Sequence, residues 1–255
     1  MEKIRILIAT HKPYWMPSDS MYMPIQVGAE GKNADLGYIK DNTGDNISSK
    51  NKNYCELTGL YWGWKNLDAQ YIGLAHYRRH FSVKGISGSK EQRVLTTEQA
   101  MTLLKRADII LPNPRDYYIE TNYSQYAHAH HAIDLDVTRQ IIAEKHPEYI
   151  SAFDMSMKRT KGHRFNMFIM SKAKFDAYCS WLFDILFELE KRLDISNYSA
   201  NDSRVFGFVS ERLLDVWIET NHYSYINTPY IFMENQNWLT KGTKFIFRKL
   251  GIKEK

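Results

Sequence analysis

Long apolar runs and cysteine frameworks are both missing from this sequence. The apolar run near the start, residues 4–9, is only a few residues long. A membrane span needs roughly 20 residues, and a signal-peptide core is followed by a small-residue cleavage site. Neither is present there, so the chain is expected in the cytoplasm. Cys55 and Cys179 are the only cysteines; they have no metal-ligand spacing, which excludes a disulfide-stapled scaffold and fits a reducing compartment. The nucleophile elbow GxSxG, the P-loop, the GxGxxG fingerprint and HExxH are also absent, which removes the common hydrolase, NTPase, dinucleotide and zinc-protease signatures. There is no internal repeat and no low-complexity linker. Charge of one sign is scarce as well: 34 Lys and Arg against 29 Asp and Glu leave a net charge of +5. That permits an anionic ligand or membrane surface but is no nucleic-acid footprint.

What is present is an ordinary globular composition, 44% hydrophobic and 25% charged, in 255 residues, enough for one α/β domain. Aromatics are plentiful, with 17 Tyr and 6 Trp; they suit sugar or base stacking and equally suit core packing. Short apolar strands are predicted over residues 4–9, 71–75, 108–112, 165–170 and 224–233. Helices are predicted from Ser48, which stands as an N-cap, and over residues 97–106, 134–145, 173–193 and 203–220, while residues 113–132 read as a polar, aromatic loop. Strands that alternate with helices predict a mostly parallel, Rossmann-like sheet with helices on both faces in a single domain, residues 1–235. Residues 236–255 form a basic, apolar tail, suited either to an anionic bilayer surface or to docking as a terminal helix.

In open α/β sheets ligands sit beyond the carboxyl ends of the strands. Two polar segments fall there. Thr10-His11-Lys12 follows the first strand, and His76-Tyr77-Arg78-Arg79-His80 follows the strand at 71–75. The second is either a solvated basic turn or a phosphate cradle, for which arginine's planar fork is suited. Asp41 to Ser48 is a turn with a helix cap, or a ribose or metal site; Lys52 at position twelve from Asp41 excludes an EF-hand. Glu211, within a helical pattern, is a surface residue or a general base. His128, His130 and His131 read as a polar loop near the site rather than a zinc cluster, because no Cys or HExxH accompanies them.

Several blocks taken together resemble the DUF4422 family of capsular and exopolysaccharide glycosyltransferases. They are IRILIATHKPYWMP, DNTGDNISSKNKNYCELTGLYWGWKN, YIGLAHYRRHF, ADIILP, RFNMFIMSKAKFDAYCSWLFDIL and GFVSERLLDVWI. They run in order over most of the chain, and CELTGLYWGWKN with GLAHYRRHF is the specific pair. The resemblance implies a GT-A-like fold and a UDP-sugar donor, with galactofuranosyl or galactosyl as the group transferred. GT-A enzymes place an Asp-x-Asp metal motif after a central strand, whereas here His76-Tyr77-Arg78-Arg79 stands in that place. No metal cofactor is therefore expected, with Mn2+ the alternative.

By this resemblance the catalytic residues are Glu211 as base, with Arg78 and His76 at the diphosphate. Donor contacts are expected from Thr10, His11, Lys12, Asp41, Asp45, Asn46, Lys50, Tyr77 and Arg79. Acceptor contacts are expected from His128, His130, His131 and Asn166. The reaction expected is an inverting displacement onto a lipid-linked oligosaccharide in capsule, exopolysaccharide or O-antigen biosynthesis, with peripheral contact to an anionic membrane and no nucleic-acid partner. The rival is a noncatalytic nucleotide- or carbohydrate-binding component of a polysaccharide assembly complex, which would bind UDP without turnover.

Overall fold

A computed structural model of the chain describes residues 2–85 and 87–234. In chain order its elements begin with β1 (Glu2–Thr10), β2 (Tyr22–Gln26), β3 (Ile39–Lys40), α1 (Asn51–Tyr54), α2 (Leu57–Asn66), β4 (Ala69–His76) and β5 (Arg79–Phe81). Next come α3 (Thr97–Leu104), β6 (Ile109–Pro112), β7 (Arg115–Asp116), α4 (Asn122–Ala129), α5 (Ala132–Lys145) and α6 (Ile150–Lys158). The remainder is β8 (Lys161–Gly162), β9 (Phe168–Ser171), α7 (Lys172–Arg192), α8 (Val205–Thr220), β10 (Tyr225–Thr228) and β11 (Tyr230–Phe232). The expected tail, residues 236–255, lies outside the described residues.

The main sheet runs β10-β6-β9-β4-β1-β2-β3, with β5 and β11 attached at the end of β4. Pairs β1–β2, β1–β4, β2–β3 and β6–β10 are parallel, and β9 alone along this path is antiparallel to both its neighbours. The α/β, mostly parallel architecture expected from the alternation is therefore present, with one reversal that periodicity does not reveal. The reversal matters: residues 165–167, which lead into β9, lie at the same rim as the carboxyl end of β4.

Alternation of side chains builds two cores. Leu7, Leu74, Leu111 and Phe168 face one side, where they pack with α2 and α5–α8. Ile6, Ile8, Ile110 and Ile169 face the other, against α3 and residues 94–95. The broad face of α7, including Phe175, Trp181, Leu182 and Leu189, is wholly inside the first core. Gly73 sits where β4 meets β9: a Cβ there would stand 2.7 Å from the Phe168 carbonyl oxygen, closer than the strands allow.

Three local expectations are corrected. Residues 113–132 are not a continuous loop, because they contain β7 and the capped helix α4, whose Thr121 hydroxyl accepts from the Ser124 amide. Ser48 opens a helical turn without capping it; its hydroxyl donates to Asp41 and accepts from the Glu30 amide. The helix expected from Ser48 is broken at Cys55, where φ is 53°. Helix α6, although amphipathic, and the short strands β2 and β5 were not expected. Among the described residues no helix is long and apolar enough to cross a membrane.

Candidate active site

Chain order and sheet order diverge at β1: the chain moves outward through β2 and β3, then returns to lay β4 on the other side. Such a switch leaves a crevice beyond the carboxyl ends of the strands. A cleft of about 600 Å3 opens there, lined by His11 after β1, Val27 after β2 and Tyr77 after β4, with Lys32 and Asn51 opposite. A second compartment of about 280 Å3 adjoins it, lined by Arg79, Arg115, His130, Phe208, Glu211 and Arg212. Cys55, Glu56, His76, Arg78 and Arg204 line both and form the partition. Another depression, of about 310 Å3, lies at the opposite end of the strands, where Lys174 and Asp108 pair at 3.0 Å and largely neutralise each other.

The cations at the strand ends are held by aromatic rings and loop hydrogen bonds. Thr10 is buried and its hydroxyl donates to the Lys12 carbonyl at 2.7 Å, which bends the loop after β1. Lys12 Nζ then lies 5.1 Å from the centre of the Tyr77 ring, and His11 meets the same ring edge-on at 5.3 Å. Burial, then Lys12, Lys32 and the arginines, hold the His11 ring below its ordinary pKa. Arg78 and Lys12 share one carboxylate, Glu234, at 3.6 and 3.9 Å. The Arg79 guanidinium stacks 4.4 Å from the Phe165 ring and 5.0 Å from Phe232, and its Nε is buried with no hydrogen-bond partner among the described residues. Arg204 donates to the Cys55 sulfur at 3.1 Å.

His76 is pushed down to about 4 by burial and then by Arg79. It is therefore neutral near pH 7, and its Nε2 sits 2.6 Å from the Phe165 carbonyl, a contact the Nε2–H tautomer makes as donor. His80, at the end of the same cluster, turns away from the cleft into the core between Trp15 and Tyr22.

Two carboxyl groups face this ring of cations. Glu211, on α8, lines the smaller compartment and pairs with Arg212 at 3.2 Å; buried Arg212 is held in turn by Gln125 at 2.7 Å. Glu56, which the sequence reading did not single out, stands in the partition. Asn166 Nδ2 donates to its Oε1 at 2.7 Å. Its only sequence signal is its position next to Cys55 inside the CELTGLYWGWKN block.

The fold thus brings together His11, His76, Tyr77, Arg78, Arg79, His130 and Glu211, with Thr10 and Lys12 shaping the rim. Other expected contacts stand elsewhere. Asp41 is fully buried and accepts from the Gly28 and Ala29 amides and from the Ser48 and Thr58 hydroxyls, so it anchors the loop after β2 rather than facing the cleft. Asp45 and Asn46 lie with Tyr61, Asn66 and Ser48, and Lys50 is tied to Glu190 at 2.7 Å; none of the three lines either compartment. Asn166 is buried against Glu56, Gly207 and Ser210 and lines neither compartment. Only one of the three histidines lines the smaller compartment. His130 stacks there on Phe208 and shares the Asp202 carboxylate, at 3.1 and 3.8 Å, with His131, whose ring stacks on Tyr198; His128 stands apart and pairs with Glu120. Among the described residues no group of three or more His, Cys, Asp and Glu side chains is placed to hold a metal ion.

A mostly parallel sheet whose carboxyl edge opens on a cationic, two-part cleft defines an α/β domain with a crevice at its strand ends, where such sheets place ligands. Within that class, the chain belongs to the DUF4422 family, described as a domain of unknown function, which it matches over residues 5–222. It is also similar in structure to the WbbM bifunctional glycosyltransferase, solved in its apo form, with 30% sequence identity and a TM-score of 0.85. The likeness covers 91% of this chain and 46% of that one, so the chain spans about half the length of that protein. No curated protein sequence matches the chain.

Proposed function

We propose that this chain is a glycosyltransferase that moves a hexosyl group, galactofuranosyl or galactosyl, from a UDP-sugar to a glycan acceptor. The observation that carries the reading is the pairing of the two compartments across one partition: cations flank the junction and a carboxylate faces it from the far side. The likeness to WbbM over nearly the whole chain supports it. The nucleotide occupies the larger compartment, near His11 and Lys32. Its diphosphate lies toward Arg78 and Arg204, and the acceptor enters the smaller compartment past His130.

The reaction is an inverting displacement. Glu211 takes the proton of the acceptor hydroxyl, whose oxygen bonds to the anomeric carbon from the face opposite the leaving diphosphate. The bond from that carbon to the diphosphate oxygen breaks, and its electron pair leaves with UDP. Arg78 and Arg204 stabilise the charge that develops there, the work fixed cations do best in a partly water-excluded site. His76, neutral and anchored on Phe165, shapes the partition without adding charge. The acceptor is a lipid-linked oligosaccharide in capsule, exopolysaccharide or O-antigen biosynthesis, met at the inner face of the plasma membrane.

A melting panel of nucleotide sugars tests this, because a ligand that binds only the folded chain raises its apparent stability. One UDP-sugar is expected to raise Tm and to be consumed when a glycan acceptor is added; a panel with no stabilising nucleotide sugar refutes the proposal. The arginines replace a metal in this scheme, so activity is expected to survive a chelator. Complete loss restored by Mn2+ would overturn the metal-free step.

A further inference from the structure

Two bent segments of backbone converge on a group that the scheme above leaves unused. Cys55 has φ 53°, and Phe165 and Asn166 have φ 75° and 52°. Cys and Phe rarely take such conformations, which cost strain and cluster at functional sites, while Asn takes them more readily. Here the Cys55 turn and the turn before β9 meet at one carboxyl, that of Glu56. Asn166 Nδ2 donates to Glu56 Oε1 at 2.7 Å and to the Gly207 carbonyl at 3.3 Å, while its Oδ1 accepts from the Ser210 hydroxyl at 3.0 Å. His76 Nε2, 3.9 Å from Glu56 Oε1, is committed to the Phe165 carbonyl. The Glu56 side chain is only 12% exposed, yet it borders both compartments.

A carboxyl buried this far loses water, and it is retained where other groups satisfy it. Asn166 and the Glu56 backbone amide supply hydrogen bonds, His76 flanks it, and both compartments of the cleft border it. Phosphate is the wrong neighbour for it, since both present acceptor oxygens; Arg78 and Arg204, on the same partition, suit phosphate. Sugar hydroxyls are the right neighbour, because they donate. In a donor that spans the partition, the part between the diphosphate and the accepting hydroxyl is the transferred sugar. The geometry points to Glu56 as the residue that holds that sugar, accepting hydrogen bonds from its hydroxyls and thereby selecting their configuration. This rests on the glycosyl-transfer reading and goes further, assigning donor-sugar choice to one side chain. Asn166 acts through Glu56 as a positioning residue.

The test is calorimetric binding of UDP, UDP-galactofuranose, UDP-galactose and UDP-glucose to the full chain and to Glu56→Ala, Glu56→Gln and Asn166→Gly. The glycine variant keeps the backbone conformation at 166 and removes only the amide. The wild-type chain is expected to discriminate among the three sugars. Glu56→Ala is expected to shrink that discrimination about 10- to 100-fold, the range for a hydrogen bond to a charged group. Glu56→Gln and Asn166→Gly shift it the same way by less, and UDP alone binds every variant within about twofold of wild type. The proposal is overturned if discrimination persists in Glu56→Ala, if UDP weakens in step with the sugars, or if the wild-type chain binds all three sugars equally. Should Glu56→Ala fail to fold, Asn166→Gly and Glu56→Gln decide by the same ratio. A wild-type chain that binds no UDP compound refutes the glycosyltransferase reading itself, and this inference with it; one that binds UDP but fails the sugar ratio refutes the inference alone.

Discussion

Removing Arg78 separates binding from stability cleanly. Its side chain leaves the end of β4, borders both compartments and is 40% exposed. Its ion-pair partner is Glu234, 3.6 Å away, and its carbonyl accepts from the Met233 amide at 3.0 Å, a bond that alanine keeps. An exposed pair of this kind contributes about 0–1 kcal/mol to folding. In a domain of this size Arg78→Ala should therefore lower Tm by no more than about 4 °C. A charge-assisted hydrogen bond to phosphate is worth about 1.5–3 kcal/mol, and the exposure of this site argues for the lower half of that range. UDP should bind Arg78→Ala about 10- to 30-fold more weakly by titration calorimetry. The deficit should shrink at high salt, since screening weakens the interaction in the wild type. Arg78→Lys should recover part of the loss, as the charge returns without the planar fork. Glu234 competes for both Arg78 and Lys12, so Glu234→Gln should tighten UDP by about 2- to 5-fold, a fraction of one exposed ion pair. Wild-type UDP affinity in a folded Arg78→Ala variant, or a loss that merely tracks Tm, would refute the reasoning.

Glu211→Gln should cut transfer about 100-fold or more while UDP binding stays intact, because a general base contributes in that range; near-normal turnover removes Glu211 from the role. Asp41→Ala removes four hydrogen bonds in the core of the loop after β2 and should cost about 3–5 kcal/mol in urea unfolding; a change below about 1 kcal/mol contradicts the anchoring role. The buried His163–Asp215 pair, 2.5 Å between Nδ1 and Oδ1, predicts a bell-shaped stability profile. Burial pulls His163 down, but the Asp215 carboxylate outweighs it and the net shift is upward, so its contribution is full below the ordinary value of 6.5 and fades as pH rises through the raised one. Burial pushes Asp215 up, but His163 outweighs it and the net shift is downward, so its contribution is full above the ordinary 3.8 and fades as pH falls through the lowered one. The Tm gap between wild type and Asp215→Asn should be widest between those limits; a gap that does not vary with pH rejects the pair as its cause.

The fold was legible where a single segment carried its own instruction. Residues 4–9, 71–75 and 108–112 are apolar and short, and each became a central or near-central strand; α7 repeats its apolar face over five turns and formed as expected. What periodicity does not record is the direction in which a buried strand runs. The residues of β9 read like those of a parallel strand, and its direction shows only in its pairing with β4 and β6. Helix α4 stayed hidden for a different reason. Its sequence, NYSQYAHA, has a weak apolar stripe, and its stability comes from a Thr121 cap and from contacts with α5 and α6, which no local window contains.

The same distinction governs the site. His76, Arg78 and Glu211 could be singled out because each stands at a telling place in its own segment, after a strand or on a late helix. Asp41 stood in an equally telling place, a polar loop beside a helix start, and its chemistry was directed inward; a carboxylate that satisfies backbone amides and one that faces a ligand have the same local sequence. Glu56 is the converse. Its segment marks it only by its place beside Cys55, and its hydrogen-bond partner is Asn166, 110 residues away in the chain, in the turn that leads into the antiparallel strand β9. The antiparallel strand is thus the link between the two omissions: the feature of the sheet that alternation left unread is the one that carries Phe165 and Asn166 to the partition.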